Sequence, residues 1–302
     1  MTTAISALER AGSRHGLHIV SPHEIRPLLR RFRIRAIGML DRAGARHLHD
    51  EQPAKYCLLA TVDAYSEGIP PLFGLSLRLL RLSDLRVVWA GAHIADGEQF
   101  RGWLGHGEVT SLDTLANRVT QHLIANMIGD LHSINMSTPS PELAIIPFDD
   151  LGNDAHAARI LTGYLTAALV ASKVPVLEPD IVQEMCGLAG RWTRGEVTYA
   201  LLDLLRDSLG INFVITGTVD TYHAEGVGQT ASLSVGVRLL DTRTRQILAA
   251  TEISKSARGG TGVLHTGQPY VGETVMKQAA AAMLKQLHIT SRSFLATKET
   301  DK

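Results

Sequence analysis

The spacing of apolar and polar residues predicts three consecutive strands in the second half of the chain. Residues 212–222 are apolar and rich in β-branched side chains, residues 231–240 alternate between apolar and polar, and residues 246–254 follow a polar turn at 241–244. Runs of this kind that are bounded by turn residues are typical of strands. Because the connections are short, we expect the three strands to pair antiparallel.

The region before these strands combines short strands with helices. Residues 143–148 are predicted to form a buried strand, and residues 173–177 a second one. Between them, apolar residues recur at helical spacing: Ile160, Leu161, Tyr164, Leu165, Ala168 and Leu169. Further helices are predicted from Pro179, from Glu196 to Gly210, and over residues 272–287. The order β-α-β-α-β-β-β-α predicts an α/β fold with a mixed sheet, arranged as a sandwich.

The same pattern occurs twice in the chain. Residues 56–65 read YCLLATVDAY and residues 213–222 read FVITGTVDTY, an offset of 157 positions. Further along, residues 75–80 match residues 235–240 at an offset of 160, after a three-residue insertion. A repeat of this length indicates two copies of one domain. A residue present in both copies is expected to serve the fold, whereas a functional residue need occur in only one.

The repeat predicts the domain boundaries. We expect a first copy over residues 1–136, a linker over 137–142, a second copy over 143–290 and a flexible tail over 291–302. The first copy begins inside its first helix, so it lacks a counterpart of the opening strand at 143–148. Three explanations are open: the natural chain starts upstream, another chain donates the strand, or the remaining strands close directly. The first is favoured, because unpaired backbone groups on strands are costly.

Several segments of the second copy resemble the CsgG-like and TolB amino-terminal-like domains of bacterial envelope proteins. Residues 144–151, AIIPFDDL, match an opening strand that typically reads V-A-V-L-P-F-x-N-L. Residues 211–219, INFVITGTV, match A-D-Y-V-V-x-G-x-V, and residues 240–248 match a hairpin of the form L-x-D-x-x-T-G-x-V-L-W without its Gly and Trp. The first copy restores the Trp at Trp89.

The resemblance implies a non-enzymatic role in assembly of the bacterial envelope. It implies protein partners, including other envelope or secretion proteins or further copies of the chain, and a location in the periplasm or at the periplasmic face of the outer membrane. No cofactor is implied. Some family members form pores, but the loops at 91–111 and 255–271 are too short and glycine-rich for the required hairpins.

Composition narrows the possible partners and locations of the chain. The 302 residues carry a formal net charge of zero, so we expect no nucleic-acid partner. No apolar run is long enough to form a transmembrane segment. The first residues also lack the pattern of a secretory signal, and the family's lipobox is missing. This leaves a cytoplasmic location open, and with it an alternative function as a ligand-sensing or regulatory binding module.

Two sets of residues are candidates for specific roles. Asp63 and Asp220, together with Arg78 and Arg238, are duplicated, which predicts structural roles and pairing across each hairpin. Partner binding is predicted instead for residues found in one copy only. These are Trp103 in a glycine-rich loop and the basic cluster of Arg30, Arg31, Arg33 and Arg35.

The remaining reactive residue types give no catalytic motif. His47, His49 and Asp50 lack further ligands at metal-site spacing, and residues 258–262 lack the Lys-Ser/Thr of a phosphate-binding loop. Cys57 and Cys186 each replace an aliphatic residue of the other copy, which predicts two small core residues. We therefore expect no enzymatic activity.

Overall fold

The structure is a computed structural model that describes residues 20, 22–34, 40–51, 54–100, 107–130, 134, 140–152, 156–190, 197–223, 230–258 and 270–290. The chain divides into two compact units. The described residues of unit 1 lie within 20–134, and those of unit 2 within 140–290. None of the described helices is long and apolar enough to span a membrane.

Unit 1 combines a three-stranded antiparallel meander with helices. Its elements, in chain order, are α1 (Pro22–Arg31), α2 (Arg42–Glu51), β1 (Tyr56–Ser66), β2 (Leu72–Arg81), β3 (Arg86–Asp96) and α3 (Leu112–Asp130). Leu75, Leu77 and Trp89 pack with α3 in one core, whereas Leu59 and Leu80 pack with α2 in a second core. The meander is therefore covered by apolar side chains on both of its faces.

Unit 2 contains the complete predicted order of elements. They are β4 (Leu143–Ile145), β5 (Asp149–Asp150), α4 (Ala157–Ala171), β6 (Val176–Leu177), α5 (Pro179–Leu188), α6 (Tyr199–Leu209), β7 (Phe213–His223), β8 (Thr230–Asp241), β9 (Ile247–Arg258) and α7 (Val271–Gln286). The strand order is β6-β4-β7-β8-β9, and β5 also pairs with β7. Strands β4, β6 and β7 are parallel, and β7, β8 and β9 form the antiparallel meander. The predicted mixed α/β fold is confirmed.

The two meanders have the same register. Tyr56 pairs with Arg81 as Phe213 pairs with Asp241, and each later Cα pair of β1 and β2 recurs in β7 and β8. Both pairs of strands also shift register at the same place, between Val62 and Ala64 and between Val219 and Thr221. Residues at offset 157 in β1, or 160 in β2 and β3, are therefore equivalent, and we call them sister residues.

Two predicted elements differ in extent from the structure. The strand expected at 143–148 forms a ladder only over Leu143–Ile145, because Pro147 has no N–H to donate. The helix expected from Glu196 begins at Tyr199, where the Thr198 hydroxyl accepts a hydrogen bond from the Leu201 N–H at 3.3 Å. Its predicted end is confirmed, since Gly210 has a left-handed conformation with φ of 68°.

Candidate interaction surfaces

The described residues leave two strand edges with exposed apolar side chains. Strand β1 pairs only with β2, and β9 pairs only with β8, among the residues described. Val62 and Tyr65 on β1 are 44% and 64% exposed, and Ile247 and Leu248 on β9 are 54% and 50% exposed. Open edges with large apolar side chains are typical sites of contact with other chains.

The missing opening strand of the first copy indicated an unpaired strand there, but sequence reasoning did not identify the β9 edge or the exposed residues of either edge. The sister residue of Ile247 is Val87, which is fully buried, although both are aliphatic residues in β-rich segments. Hydrophobic patterning shows that one side of a strand is apolar, but it does not show which strand lies at an edge. The spacing of apolar residues therefore does not predict that Val87 is buried and Ile247 is exposed.

The basic cluster lies at the end of α1. Arg30 and Arg31 occupy its last turn and are exposed, and Arg33 follows with φ of 54°. Arg31 forms an ion pair with Glu51 at 3.5 Å and lies 4.9 Å above the Phe32 ring, which in turn stacks on His47. Basic residues in a last turn also stabilise a helix through its dipole. Arg35 and Trp103 lie outside the described residues.

The duplicated aspartates occupy the same backbone position in different surroundings. Asp63 and Asp220 both lie at the register shift of their strand. Asp63 is buried and accepts a hydrogen bond from Ser76 Oγ at 2.5 Å, whereas Asp220 is exposed and the sister of Ser76 is Gly236. A carboxylate at this position is thus held by a side chain in unit 1, while its counterpart in unit 2 faces solvent.

The duplicated arginines show a similar difference. Arg78 is buried, lies opposite Leu59 in the β1–β2 ladder, and donates from Nη2 to Thr61 Oγ1 at 3.2 Å. Its sister Arg238 is exposed. The pairing of each arginine with its aspartate stays a prediction.

Each unit also has polar contacts between a helix and its neighbours in the described residues. In unit 2, the buried Glu273 carboxylate accepts from Tyr164 OH at 3.1 Å and lies 2.9 Å from Lys277 Nζ. In unit 1, the His93 and His122 rings lie 4.5 Å apart, and Trp89 Nε1 donates to Asp130 Oδ2 at 3.0 Å. Within the described ranges, no three His, Cys, Asp or Glu residues are grouped so as to hold a metal ion.

The cysteines have the surroundings of core residues. Cys186 is buried on α5, and Cys57 on β1 is half-buried. Burial raises the pKa of the Cys186 thiol to about 11. Because the thiolate is the nucleophilic form, Cys186 is unreactive near neutral pH.

Comparison with known proteins found matches among solved structures only. The sequence matches no protein-family profile and no curated protein. Solved structures similar to it include the PelC dodecamer from Paraburkholderia phytofirmans, with 13% identity over 48% of this chain and 86% of that chain, at a TM-score of 0.35. Lipoprotein GNA1162 from Neisseria meningitidis is similar with 15% identity over 49% and 98%, at a TM-score of 0.35. The C-terminal domain of LpoB from Escherichia coli is similar with 12% identity over 44% and 94%, at a TM-score of 0.29. A likeness of this degree does not assign a function.

Proposed function

We propose that this chain is a non-enzymatic accessory or assembly factor of the bacterial cell envelope that works through contacts with other proteins. The observation that carries the proposal is the pair of strand edges, β1 and β9, with their exposed apolar residues Val62, Tyr65, Ile247 and Leu248. Edges of this kind favour pairing with further polypeptide, because a strand added there satisfies backbone groups and buries apolar surface together.

Support for the envelope as the compartment comes from the sequence. The segments 144–151 and 211–219 resemble the opening and middle strands of CsgG-like and TolB amino-terminal-like domains. In the structure these segments form β4, β5 and the start of β7, which are adjacent in one sheet. The resembling residues therefore belong to one structural unit, as a shared domain requires.

The proposal is tested by locating the native protein in the bacterium that produces it. Cells would be separated into cytoplasmic, periplasmic and membrane fractions, with a marker protein for each, and this chain detected by antibody. We expect it in the periplasmic or outer-membrane fraction, and in a native complex larger than the purified chain. Recovery in the cytoplasmic fraction alone would contradict the envelope role, and a free chain in every fraction would contradict the role in protein contacts.

A further inference from the structure

The sister strands β1 and β7 differ in what lies beside them. On one side, both pair with the next strand of their meander in the same register. On the other side, β7 pairs in parallel with β4, from Leu143 opposite Phe213 to Ile145 opposite Ile215, and with β5 beyond it. For β1, the part of the chain that the structure describes supplies no strand on that side.

Side-chain exposure follows this difference. Val62 is 44% exposed, whereas its sister Val219 is fully buried. Tyr65 is 64% exposed, whereas its sister Tyr222 is 3% exposed. Leu58 is half-buried, and its sister Ile215 is fully buried. Strand β1 therefore exposes apolar side chains whose counterparts in unit 2 are buried.

Unit 2 also shows which backbone groups of β7 form hydrogen bonds with the segments beside it. The Ile146 N–H donates to the Ile215 carbonyl at 2.9 Å, and the Leu151 N–H donates to the Val219 carbonyl at 2.9 Å. In the opposite direction, the Phe213 N–H donates to the Glu142 carbonyl at 3.0 Å. At the offset of 157, the equivalent groups of β1 are the carbonyls of Leu58 and Val62 and the N–H of Tyr56. A strand beside β1 would hydrogen-bond to these groups.

The β1 edge lacks two of the features that normally prevent strand addition, basic residues and proline, and its register shift also occurs in β7, which accepts β4 and β5 beside it. Its sequence, YCLLATVDAYS, contains no Lys, Arg or Pro, and its single charged residue, Asp63, is buried. Natural edge strands are usually protected by charged side chains, prolines or covering segments. An edge without charge or proline is suited to accept an extended apolar segment.

We propose that the outer edge of β1 is an acceptor site for an extended aliphatic segment of a second polypeptide, which binds parallel to β1 as Leu143–Ile145 binds to β7. Val62 and Tyr65 are exposed apolar side chains on this strand, and contact with another polypeptide would remove their surface from water. The proposal rests on the proposed role in protein contacts, but not on the envelope as the cellular compartment.

The structure further specifies the side chains of the donated segment. In unit 2, the Phe148 ring packs against Gly217, and a Cβ atom at position 217 would lie 2.6 Å from Phe148 Cε1. The sister of Gly217 is Ala60, which has a Cβ atom. A segment bound to β1 therefore has aliphatic residues at the positions of 143–146 and a small residue at the position of Phe148.

Peptide binding tests the site with the chain's own strand as the probe. A fluorescent peptide with the sequence of residues 143–150, LAIIPFDD, and its Phe148→Ala version would be titrated with the whole protein and followed by anisotropy. We expect the Phe148→Ala peptide to bind about ten times more tightly. N-methylation at the position of Ile146 removes the donor to the Leu58 carbonyl and should weaken binding by about tenfold.

Matched protein variants locate the bound peptide. Val62→Lys places a charge on the β1 edge and should weaken binding by about tenfold or more, whereas Leu188→Lys changes an exposed apolar residue on α5, away from both strand edges, and should leave binding unchanged. Both positions are solvent-exposed, so circular dichroism should show both variants folded. Absence of peptide binding, or equal effects of the two variants, would overturn the proposal.

Hydrogen exchange distinguishes a vacant edge from one that the chain fills itself. Without peptide, the Tyr56 amide should exchange much faster than that of its sister Phe213, and peptide should slow it. If the Tyr56 amide is already as protected as that of Phe213, a segment of this chain occupies the edge, and donation by a second polypeptide is wrong.

Discussion

At the scale of single residues, duplication does not guarantee the same role. Asp63 and Asp220 share a sequence motif and a position at the register shift, yet only Asp63 is buried against Ser76. We expect Asp63→Ala to lower the free energy of unfolding by about 1–3 kcal/mol, since it leaves the Ser76 hydroxyl without its acceptor. Asp220→Ala should change it by no more than about 0.5 kcal/mol. Urea unfolding of both variants measures the difference, and equal effects would show that the burial of Asp63 contributes little.

The second prediction at this scale concerns Cys186 and the pH dependence of stability. Its pKa is raised from 9.0 to about 11 in the folded protein, so above pH 9 the unfolded chain loses a proton that the folded chain keeps. Stability from this group is complete below pH 9 and falls as pH rises towards 11, by about 1 kcal/mol at pH 10. Urea unfolding at pH 8 and pH 10 should show this loss in the native protein and not in Cys186→Val. The same loss in both proteins would assign it to other groups.

At the scale of elements, close packing on β7 depends on a glycine. A Cβ atom at Gly217 would lie 2.2 Å from the Gly236 carbonyl oxygen and 2.6 Å from the Phe148 ring, whereas one at Gly236 would meet nothing within 4 Å. We expect Gly217→Ala to lower the melting temperature through a loss of about 1–3 kcal/mol. Gly236→Ala, in the neighbouring strand, should be neutral or slightly stabilising. A neutral Gly217→Ala would mean that Phe148 and its loop move easily, and would weaken the size argument for the β1 site.

Elements also show how far the sequence predicts this structure. The strands of both meanders and their equivalence follow from local periodicity and the repeat, because alternation and turn residues are local properties. Strand β4 is short because Pro147 has no backbone N–H, and the helix begins at Tyr199 because the Leu201 N–H is capped by Thr198. The spacing of apolar residues shows neither of these details. Which edge is covered depends on contacts between distant segments. Val87 and Ile247 are both aliphatic and occupy equivalent positions, but only Ile247 is exposed. Val62 and Val219 are the same residue type, but only Val62 is exposed.

At the scale of the whole molecule, the two units share the register of their meanders and differ in the strands that lie beside them. Unit 2 contains the parallel strands β4, β5 and β6 beside its meander. The described part of unit 1 has no strand beside β1 other than β2, and exposes Val62 and Tyr65 there. Since the equivalent side of β7 holds parallel strands, the β1 edge is suited to hold a partner strand, and we place binding there and not in a catalytic pocket.

Site-specific photo-crosslinking in the native bacterium shows whether a second polypeptide binds at β1. A photoreactive phenylalanine analogue would replace Val62 in one strain and Leu188, a more exposed apolar residue on α5, in another. We predict a crosslinked product of defined mass from position 62 alone, whose second component is an envelope protein linked through an extended segment. Equal crosslinking from both positions, or from neither, would contradict a binding site on β1, and a purely cytoplasmic partner would contradict the envelope role.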